Sequence, residues 1–159
     1  DRQARGPREG DDPAAGRRQG CRSGHVERLF LNQLDGSTDG FLARVAGARV
    51  SAHFYIDRSG RCIQFVSCLD RAWHAGASEF RGRQRCNDFS VGIELEGSDF
   101  EPFTDAQYVS LNALLHALTS AYPLEAVAGH SDIATDRKTD PGPFFEWGRL
   151  RVSPGLISR

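Results

Sequence analysis

The chain has 159 residues, which is enough for one domain with a hydrophobic core of its own. Its 20 basic and 21 acidic residues nearly cancel, so the charge balance gives no indication of a nucleic-acid partner. Its apolar runs are too short to cross a bilayer, and no membrane partner is expected.

The first 24 residues differ in composition from the rest. They contain six Arg, five Gly and two Pro, and no Val, Ile, Leu, Phe, Tyr or Trp. Because such a segment has little apolar surface to bury, we expect residues 1–24 to be disordered. The change in composition at His25 is abrupt, which suggests that this segment is not native to the domain. We therefore predict a domain over 25–152 and a C-terminal tail over 153–159.

The first predicted elements are a helix and a hairpin. Residues 26–34 carry apolar side chains at helical spacing. Residues 50–56 and 62–66 are predicted as two strands, and the polar turn at 57–60 favours an antiparallel hairpin between them. The Arg- and Gly-rich stretch 67–89 is expected to be mostly loop.

A third strand is predicted at 90–95, where Val91, Ile93 and Leu95 alternate with polar positions. That alternation sends Glu94 and Glu96 to the face opposite the apolar residues.

Further on, Thr104-Asp105-Ala106-Gln107 is a capping box that opens a helix to about Ala121. Residues 126–128 are predicted as a short strand that ends near His130, and residues 144–150 as a short final helix. Together the elements predict a mixed α+β fold, with a small central mixed β-sheet flanked by helices.

The segment 129–143 contains the highest density of candidate metal-binding and catalytic residues. It holds His130, Asp140 and Lys138, which is the only lysine among 20 basic residues. Imidazole and carboxylate are both good ligands for first-row metals, and a lone ammonium among arginines suggests a position that needs a point donor. Each residue also has an ordinary interpretation: a loop histidine, a turn aspartate before Pro141, or a solvated lysine.

Glu94 is a candidate general base, because a carboxylate on an otherwise apolar strand is costly unless it has a function or a partner. Glu96 on the same face would raise one of the two pKa values; the alternative is a solvated pair at the sheet edge. Of the other histidines, His53 and His74 remain plausible functional imidazoles, and His53 in a strand is expected to be a hydrogen-bonded core residue.

Four motifs in order resemble the zinc N-acetylmuramoyl-L-alanine amidases of the AmpD type, which recycle 1,6-anhydro-muropeptides in the cytosol. The motifs lie at 49–54, 71–76, 85–97 and 130–143, and the resemblance extends from about His25 to Val152.

The resemblance implies a zinc hydrolase that cleaves the amide between N-acetylmuramic acid and L-alanine of a small muropeptide. It implies His130 and Asp140 as Zn²⁺ ligands and Glu94 as the catalytic base. Lys138 would stabilise the oxyanion. A third set would bind the substrate: Arg49, Trp73 and Arg85.

The chain departs from the family at the first zinc ligand, a histidine that ends an N-terminal strand in a His-Asn pair. Neither that pair nor an apolar strand occurs in the first 24 residues. We therefore expect the N-terminal strand to be missing. The alternative function is an impaired muropeptide-binding module or a non-functional fragment.

A cytoplasmic location is expected on two further grounds. The chain opens without the apolar stretch of a signal peptide. Its four cysteines lack the CxxC spacing of a zinc knuckle or a redox motif, so free thiols are expected rather than disulfides.

Overall fold

The computed structural model describes residues 50–158. Within them lies a three-stranded mixed sheet in the order β2-β1-β5, made of Phe54–Ile56 (β1), Cys62–Gln64 (β2) and Ile93–Leu95 (β5). β1 pairs with β2 antiparallel and with β5 parallel. One long helix, Asp105–Ala121 (α1), packs on this sheet, which confirms the predicted mixed α+β class.

The predicted hairpin between β1 and β2 is confirmed, although both strands are shorter than expected. Its turn depends on Asp57, whose Oδ1 accepts hydrogen bonds from the backbone N–H groups of Ser59 at 2.9 Å and Arg61 at 3.0 Å. Gly60 follows with φ +85°, and a Cβ there would lie 2.7 Å from the carbonyl oxygen of Ala106. Glycine is therefore required both by its backbone angle and by the close approach of the helix.

The alternation predicted for β5 is confirmed by its register. Ile93 and Leu95 pack against the core together with Ile56. Glu94 pairs with Tyr55 of β1, so both side chains project from the opposite face of the sheet. The sheet thus presents an apolar face to α1 and a carboxylate to the other side.

Helix α1 begins with the predicted capping box. The Gln107 N–H donates to Thr104 Oγ1 at 3.1 Å, and the Thr104 N–H donates to Gln107 Oε1 at 3.0 Å. Gln107 also donates from Nε2 to the Glu96 carbonyl at 2.8 Å, which ties the helix start to the end of β5. Five residues recur at helical spacing here and are predicted to be core; four of them are buried, Tyr108, Leu111, Leu115 and Leu118, whereas Tyr122 after the helix end is half-buried.

The stretch 67–89 is mostly loop, as predicted, whereas two other predicted elements were wrong in detail. Residues 67–89 contain a second hairpin, Glu79–Phe80 (β3) with Arg83–Gln84 (β4), whose two loop residues both have positive φ. Such a loop matches the right-handed twist of the strands, a feature that Arg81-Gly82 signals only weakly. Within residues 50–158, the strand predicted at 126–128 is reduced to a single parallel bridge between Val127 and Ile157.

The final helix predicted at 144–150 is one 3₁₀ turn, Trp147–Arg149, and a second such turn spans Pro154–Leu156. A four-residue helix, His130–Ile133 (α2), begins at the candidate site instead. Among residues 50–158, no helix is both long and apolar enough to cross a membrane.

Several predictions fall outside the described residues: the disordered segment 1–24, the missing strand, the boundary at His25 and the helix at 26–34. In the predicted tail, Ile157 packs against the core through its bridge to Val127. The three cysteines of the described part are free thiols: Cys62, Cys68 and Cys86.

We predict that Asp57→Asn lowers the free energy of unfolding by about 1–3 kcal/mol at pH 7, the range for hydrogen bonds to a charged group. Burial opposes ionisation of Asp57, but its hydrogen bonds with Ser59 and Arg61 outweigh burial and hold its pKa below the ordinary value of 3.8. A lowered pKa in the folded state contributes stability above pH 3.8, and this contribution is lost as the pH falls through the folded pKa.

Urea unfolding of the wild type and the variant at several pH values measures the effect. The stability difference should shrink from pH 6 toward pH 3. A difference that does not depend on pH would mean that the charge of Asp57 is not what stabilises the turn.

Candidate active site

The His130–Asp140 pair lies at the centre of the candidate site. His130 is the first residue of α2, and its Nδ1 lies 3.0 Å from Oδ2 of Asp140. Its Nε2 lies 3.0 Å from the carbonyl oxygen of Ala75. The two residues predicted as metal ligands are therefore in contact, ten positions apart in the chain.

The partners of His130 determine what the pair can bind. A carbonyl oxygen only accepts hydrogen bonds, so Nε2 must carry a hydrogen. In a neutral ring, Nδ1 then carries a lone pair that faces the carboxylate oxygen of Asp140. Two hydrogen-bond acceptors at this distance repel each other unless a cation lies between them. A proton or a metal ion meets that need, and zinc ligands at 2.0–2.2 Å in tetrahedral geometry lie about 3.3 Å from each other. The pair therefore fits two positions of a zinc site.

The charge state of Asp140 agrees with this role. Burial raises its pKa, but the hydrogen bond and charge of His130 outweigh burial, and the net shift is downward from 3.8. Asp140 is thus an anionic oxygen donor at neutral pH. Among residues 50–158, no group of three or more His, Cys, Asp or Glu side chains has the arrangement of a complete metal site.

Close backbone packing brings His130 and Asp140 together. Gly129 precedes His130, and a Cβ on Gly129 would lie 2.8 Å from Cδ of Pro141. The Ser131 N–H donates to the Asp140 carbonyl at 2.9 Å. A larger residue at position 129 would push the two segments, and with them the two donors, apart.

Asn87 is a residue that the sequence analysis missed. It is buried, and its Oδ1 accepts hydrogen bonds from the backbone N–H groups of Ala75 at 2.8 Å and His74 at 3.0 Å. Asn87 thereby fixes the carbonyl of Ala75 that orients His130. An orienting partner of this kind sets which nitrogen of a histidine is free to bind a metal.

Arg137 and Asp99 are two further residues that hold the loops of the site. Arg137 donates from Nη2 to the carbonyls of Ala75 and Ala77, each at 2.8 Å. Asp99 accepts a hydrogen bond from Thr139 Oγ1 at 2.6 Å, next to Asp140. Nothing in the local sequence signals these contacts, because the partners lie 40 or more positions apart.

Glu94 faces the same cavity as His130 and Asp140. Its pKa is raised above 4.5, first by burial and then by the negative charge of Asp140, while His130 and Lys138 act in the opposite direction. The prediction that Glu96 raises this pKa was wrong. Glu96, the residue after β5, instead accepts a hydrogen bond from the Arg58 N–H at 2.9 Å.

Lys138 is half-buried and lies close enough to Glu94 and Asp140 to lower the pKa of both carboxyls. Its backbone N–H donates to the Ala134 carbonyl at 3.0 Å, at the end of α2. The lone lysine is therefore in the same electrostatic cluster as the candidate base and the candidate ligands.

His53 and His74 lie behind this cluster, with ring centroids 5.6 Å apart. His53 is buried; its Nδ1 accepts from the Gly92 N–H and its Nε2 lies 3.0 Å from the Asp70 carbonyl, which confirms the expected structural role. The pKa of His74 is lowered to about 4, first by burial and then by His53, so its ring is neutral at pH 7.

Two of the three predicted substrate-binding residues, Trp73 and Arg85, lie within the described part of the chain. Trp73 is 53% exposed, and its backbone is fixed by hydrogen bonds in both directions with Ser51. Arg85 is exposed, with its Nε 3.1 Å from Oδ2 of Asp88. Arg49 lies outside the described residues.

Comparison with known proteins identifies the family of this chain. The sequence model for N-acetylmuramoyl-L-alanine amidases matches residues 14–143. The 1,6-anhydro-N-acetylmuramyl-L-alanine amidase AmpD of Escherichia coli K12 is 52% identical over 136 residues, which cover 84% of this chain and 73% of that protein. The protein of the same name from Haemophilus influenzae is 49% identical over 133 residues, which cover 82% and 72%.

Solved structures agree with these sequence relatives. A selenomethionine derivative of AmpD superposes with a TM-score of 0.78 at 47% identity, covering 84% of this chain and 74% of that one. The amidase AmiD of Escherichia coli, solved with anhydro-N-acetylmuramic acid-L-Ala-D-γ-Glu-L-Lys, gives a TM-score of 0.62 at 37% identity, covering 70% and 51%. This chain therefore belongs to the N-acetylmuramoyl-L-alanine amidase family.

Proposed function

We propose that the protein hydrolyses the amide bond between 1,6-anhydro-N-acetylmuramic acid and the L-alanine of the stem peptide, a step in peptidoglycan recycling. The names of the relatives support this substrate, as does the anhydromuramyl peptide bound in the AmiD structure. The relatives also support a working hydrolase rather than the alternative of an impaired muropeptide-binding module.

Zinc is the cofactor that we propose, held by His130 and Asp140 within the described residues. The supporting observation is the 3.0 Å approach of Nδ1 to a carboxylate oxygen while Nε2 donates to a carbonyl. When bound, zinc would lower the pKa of a water molecule and polarise the substrate carbonyl. Within residues 50–158 these two side chains are the metal donors that the structure offers, and the family's His-Asn histidine has no counterpart in the first 24 residues.

Glu94 is the residue that we assign to proton transfer. Its carboxylate takes a proton from the attacking water and later delivers a proton to the leaving nitrogen of alanine. The products are then the free lactyl carboxylate and the free amine of the peptide. Burial and Asp140 raise the pKa of Glu94, which makes it a better base than a solvated glutamate.

To Lys138 we assign the stabilisation of the negative charge that develops on the carbonyl oxygen; its influence on the pKa of both Glu94 and Asp140 supports this role. Substrate contacts are assigned to Trp73 and Arg85, with Arg49 from outside the described part. Arginine binds carboxylates through paired N–H groups, which suits the acidic stem peptide.

The observation that carries the proposal is the convergence of four groups from two separate segments. Glu94 comes from β5, whereas His130, Lys138 and Asp140 come from α2 and the loop after it, and each influences the pKa of Glu94. A structural ion pair would not need a carboxyl of raised pKa, two metal donors and a lone ammonium close enough to affect one another's ionisation.

A cytoplasmic location is also part of the proposal. The three described cysteines are free thiols, as is usual for proteins of a reducing compartment. Fractionation of cells that express the protein from its native gene tests this, and recovery in the periplasmic fraction would contradict it.

The direct test of the function is incubation of the protein with anhydro-muramyl tripeptide, followed by mass spectrometry. We expect free anhydromuramic acid and free tripeptide in equal amounts. A chelator should abolish turnover and Zn²⁺ should restore it, because the donor pair needs its cation. Product formation at the full rate after removal of the metal would contradict the zinc assignment.

Lys138→Ala should lower turnover by at least about a hundredfold, the scale for loss of one donor to an oxyanion. Zinc content should remain unchanged, because a protonated lysine has no lone pair for a metal. Steady-state kinetics and elemental analysis of the same preparation measure both. Turnover within a few fold of wild type would remove Lys138 from the mechanism.

Glu94→Gln should abolish turnover while the fold and the zinc content stay intact. In the wild type, activity should rise with pH as Glu94 loses its proton, and this limb should lie above pH 4.5 because its pKa is raised. Glu96→Gln is the control, a nearby glutamate whose carboxylate accepts a hydrogen bond from the Arg58 N–H, and it should keep both turnover and the limb. Equal losses in the two variants would mean that Glu94 is not the base.

A further inference from the structure

Four side chains on the outer face of the 71–88 region form one connected group, which we call the Asp88 cluster: Arg71, Trp73, Arg85 and Asp88. The guanidinium carbon of Arg71 lies 3.9 Å from the centroid of the Trp73 ring. Arg71 Nη2 also lies 3.1 Å from Oδ1 of Asp88. The other oxygen of the same carboxylate, Oδ2, lies 3.1 Å from Nε of Arg85.

Stability does not explain why the cluster is there. Its side chains are between 33% and 71% exposed in the two ion pairs, and exposed ion pairs contribute little to folding. Arg85 moreover has φ +65° and ψ +59°, the left-handed conformation that disfavours every residue with a Cβ. Glycine would suit that backbone better, so the arginine side chain is there for another reason.

The net charge of the Asp88 cluster favours the binding of an anion. Two guanidinium groups share one carboxylate, so the cluster carries one excess positive charge at neutral pH. In Arg85 only Nε is used by Asp88, and in Arg71 only Nη2. Each guanidinium has further N–H groups, and its plane is fixed by Asp88 or by the Trp73 ring, which reduces the entropy lost when a ligand binds.

The cluster is also fixed relative to the metal pair. Asp88 is in the same 3₁₀ turn as Asn87, whose Oδ1 holds the backbone of His74 and Ala75. The carbonyl of Ala75 in turn contacts Nε2 of His130 at 3.0 Å. One turn therefore sets the distance between the surface that carries Trp73 and Arg85 and the site of the reaction.

We propose that Asp88 is a positioning residue and that Arg71 is a further substrate-binding residue. Together with Arg85 they receive the free α-carboxylate that a γ-linked glutamate of the stem peptide retains, while Trp73 contacts the apolar part of the ligand. This inference rests on the proposed function and adds two residues to it. Asp88 acts by holding both guanidinium groups in place, not by touching the substrate.

The test compares two substrates: anhydro-muramyl-L-Ala-D-γ-Glu-L-Lys and its analogue with the glutamate α-carboxylate converted to a carboxamide. Arg71→Gln should raise KM about tenfold for the carboxylate substrate, as expected for loss of a charge-assisted contact, and leave KM for the carboxamide within about twofold. Arg71→Lys should recover only part of the loss, because an ammonium lacks the planar fork.

Asp88→Asn should also raise KM for the carboxylate substrate, by about fivefold, while kcat and Tm stay near wild type, as expected when an exposed ion pair is lost. Asp70→Asn is the matched control, since it makes the same charge change near Trp73 at an exposed side chain outside the cluster. It should leave all parameters unchanged.

Equal losses on the two substrates would assign Arg71 and Asp88 a merely structural role and overturn the proposal. A lower KM in Asp88→Asn would also overturn it, because Asp88 would then compete with the ligand. Calorimetric Kd values for both peptides with the same variants test the cluster independently of turnover. If the wild type binds the two peptides differently but cleaves neither, the proposed function fails while the cluster stands.

Discussion

The chemistry of this protein depends on the way His130 is held. One ring nitrogen faces the carbonyl of Ala75 and the other faces the carboxylate of Asp140, each at 3.0 Å. The first contact dictates where the ring hydrogen sits, and the second then leaves two lone pairs facing each other. Only a cation resolves that conflict, so the fold itself creates a place for a proton or a metal. Asn87, Arg137 and Gly129 all act on this point by fixing the backbone on either side of it.

The sheet and the loops have different tasks in this arrangement. β5 supplies Glu94 from a strand whose other face is packed against α1, so the position of the base is set by the core. The proposed metal ligands come from α2 and the loop after it, where little regular structure is present. In those loops, hydrogen bonds from side chains fix the backbone in place of strand pairing. Asn87 and Arg137 bind the Ala75–Ala77 backbone, and Asp99 binds Thr139.

The charged groups of the site change one another's pKa values. The pKa of Glu94 is raised by burial and by Asp140, whereas the pKa of Asp140 is lowered by His130 against its own burial. The two carboxyl groups in this cavity therefore differ in pKa: that of Glu94 lies above its ordinary value and that of Asp140 below. Such a difference is what the proposed roles require, with Asp140 as an anionic ligand and Glu94 as the group that exchanges protons. The cationic Asp88 cluster lies outside this group, where it can meet an anionic substrate without neutralising the base.

The sequence by itself determined the features that local chemistry controls. The capping box at Thr104, the turn at Asp57 and the alternation in β5 follow from rules that act within a few residues, and all three are present in the structure. The resemblance in four motifs was enough to identify the family. Tertiary structure decided the rest: a buried Asn87, an ion pair of Arg71 with Asp88 and the turn of Glu96 toward Arg58 all join distant segments. No local pattern encodes such contacts, because they depend on how the chain packs and not on the spacing of its residues.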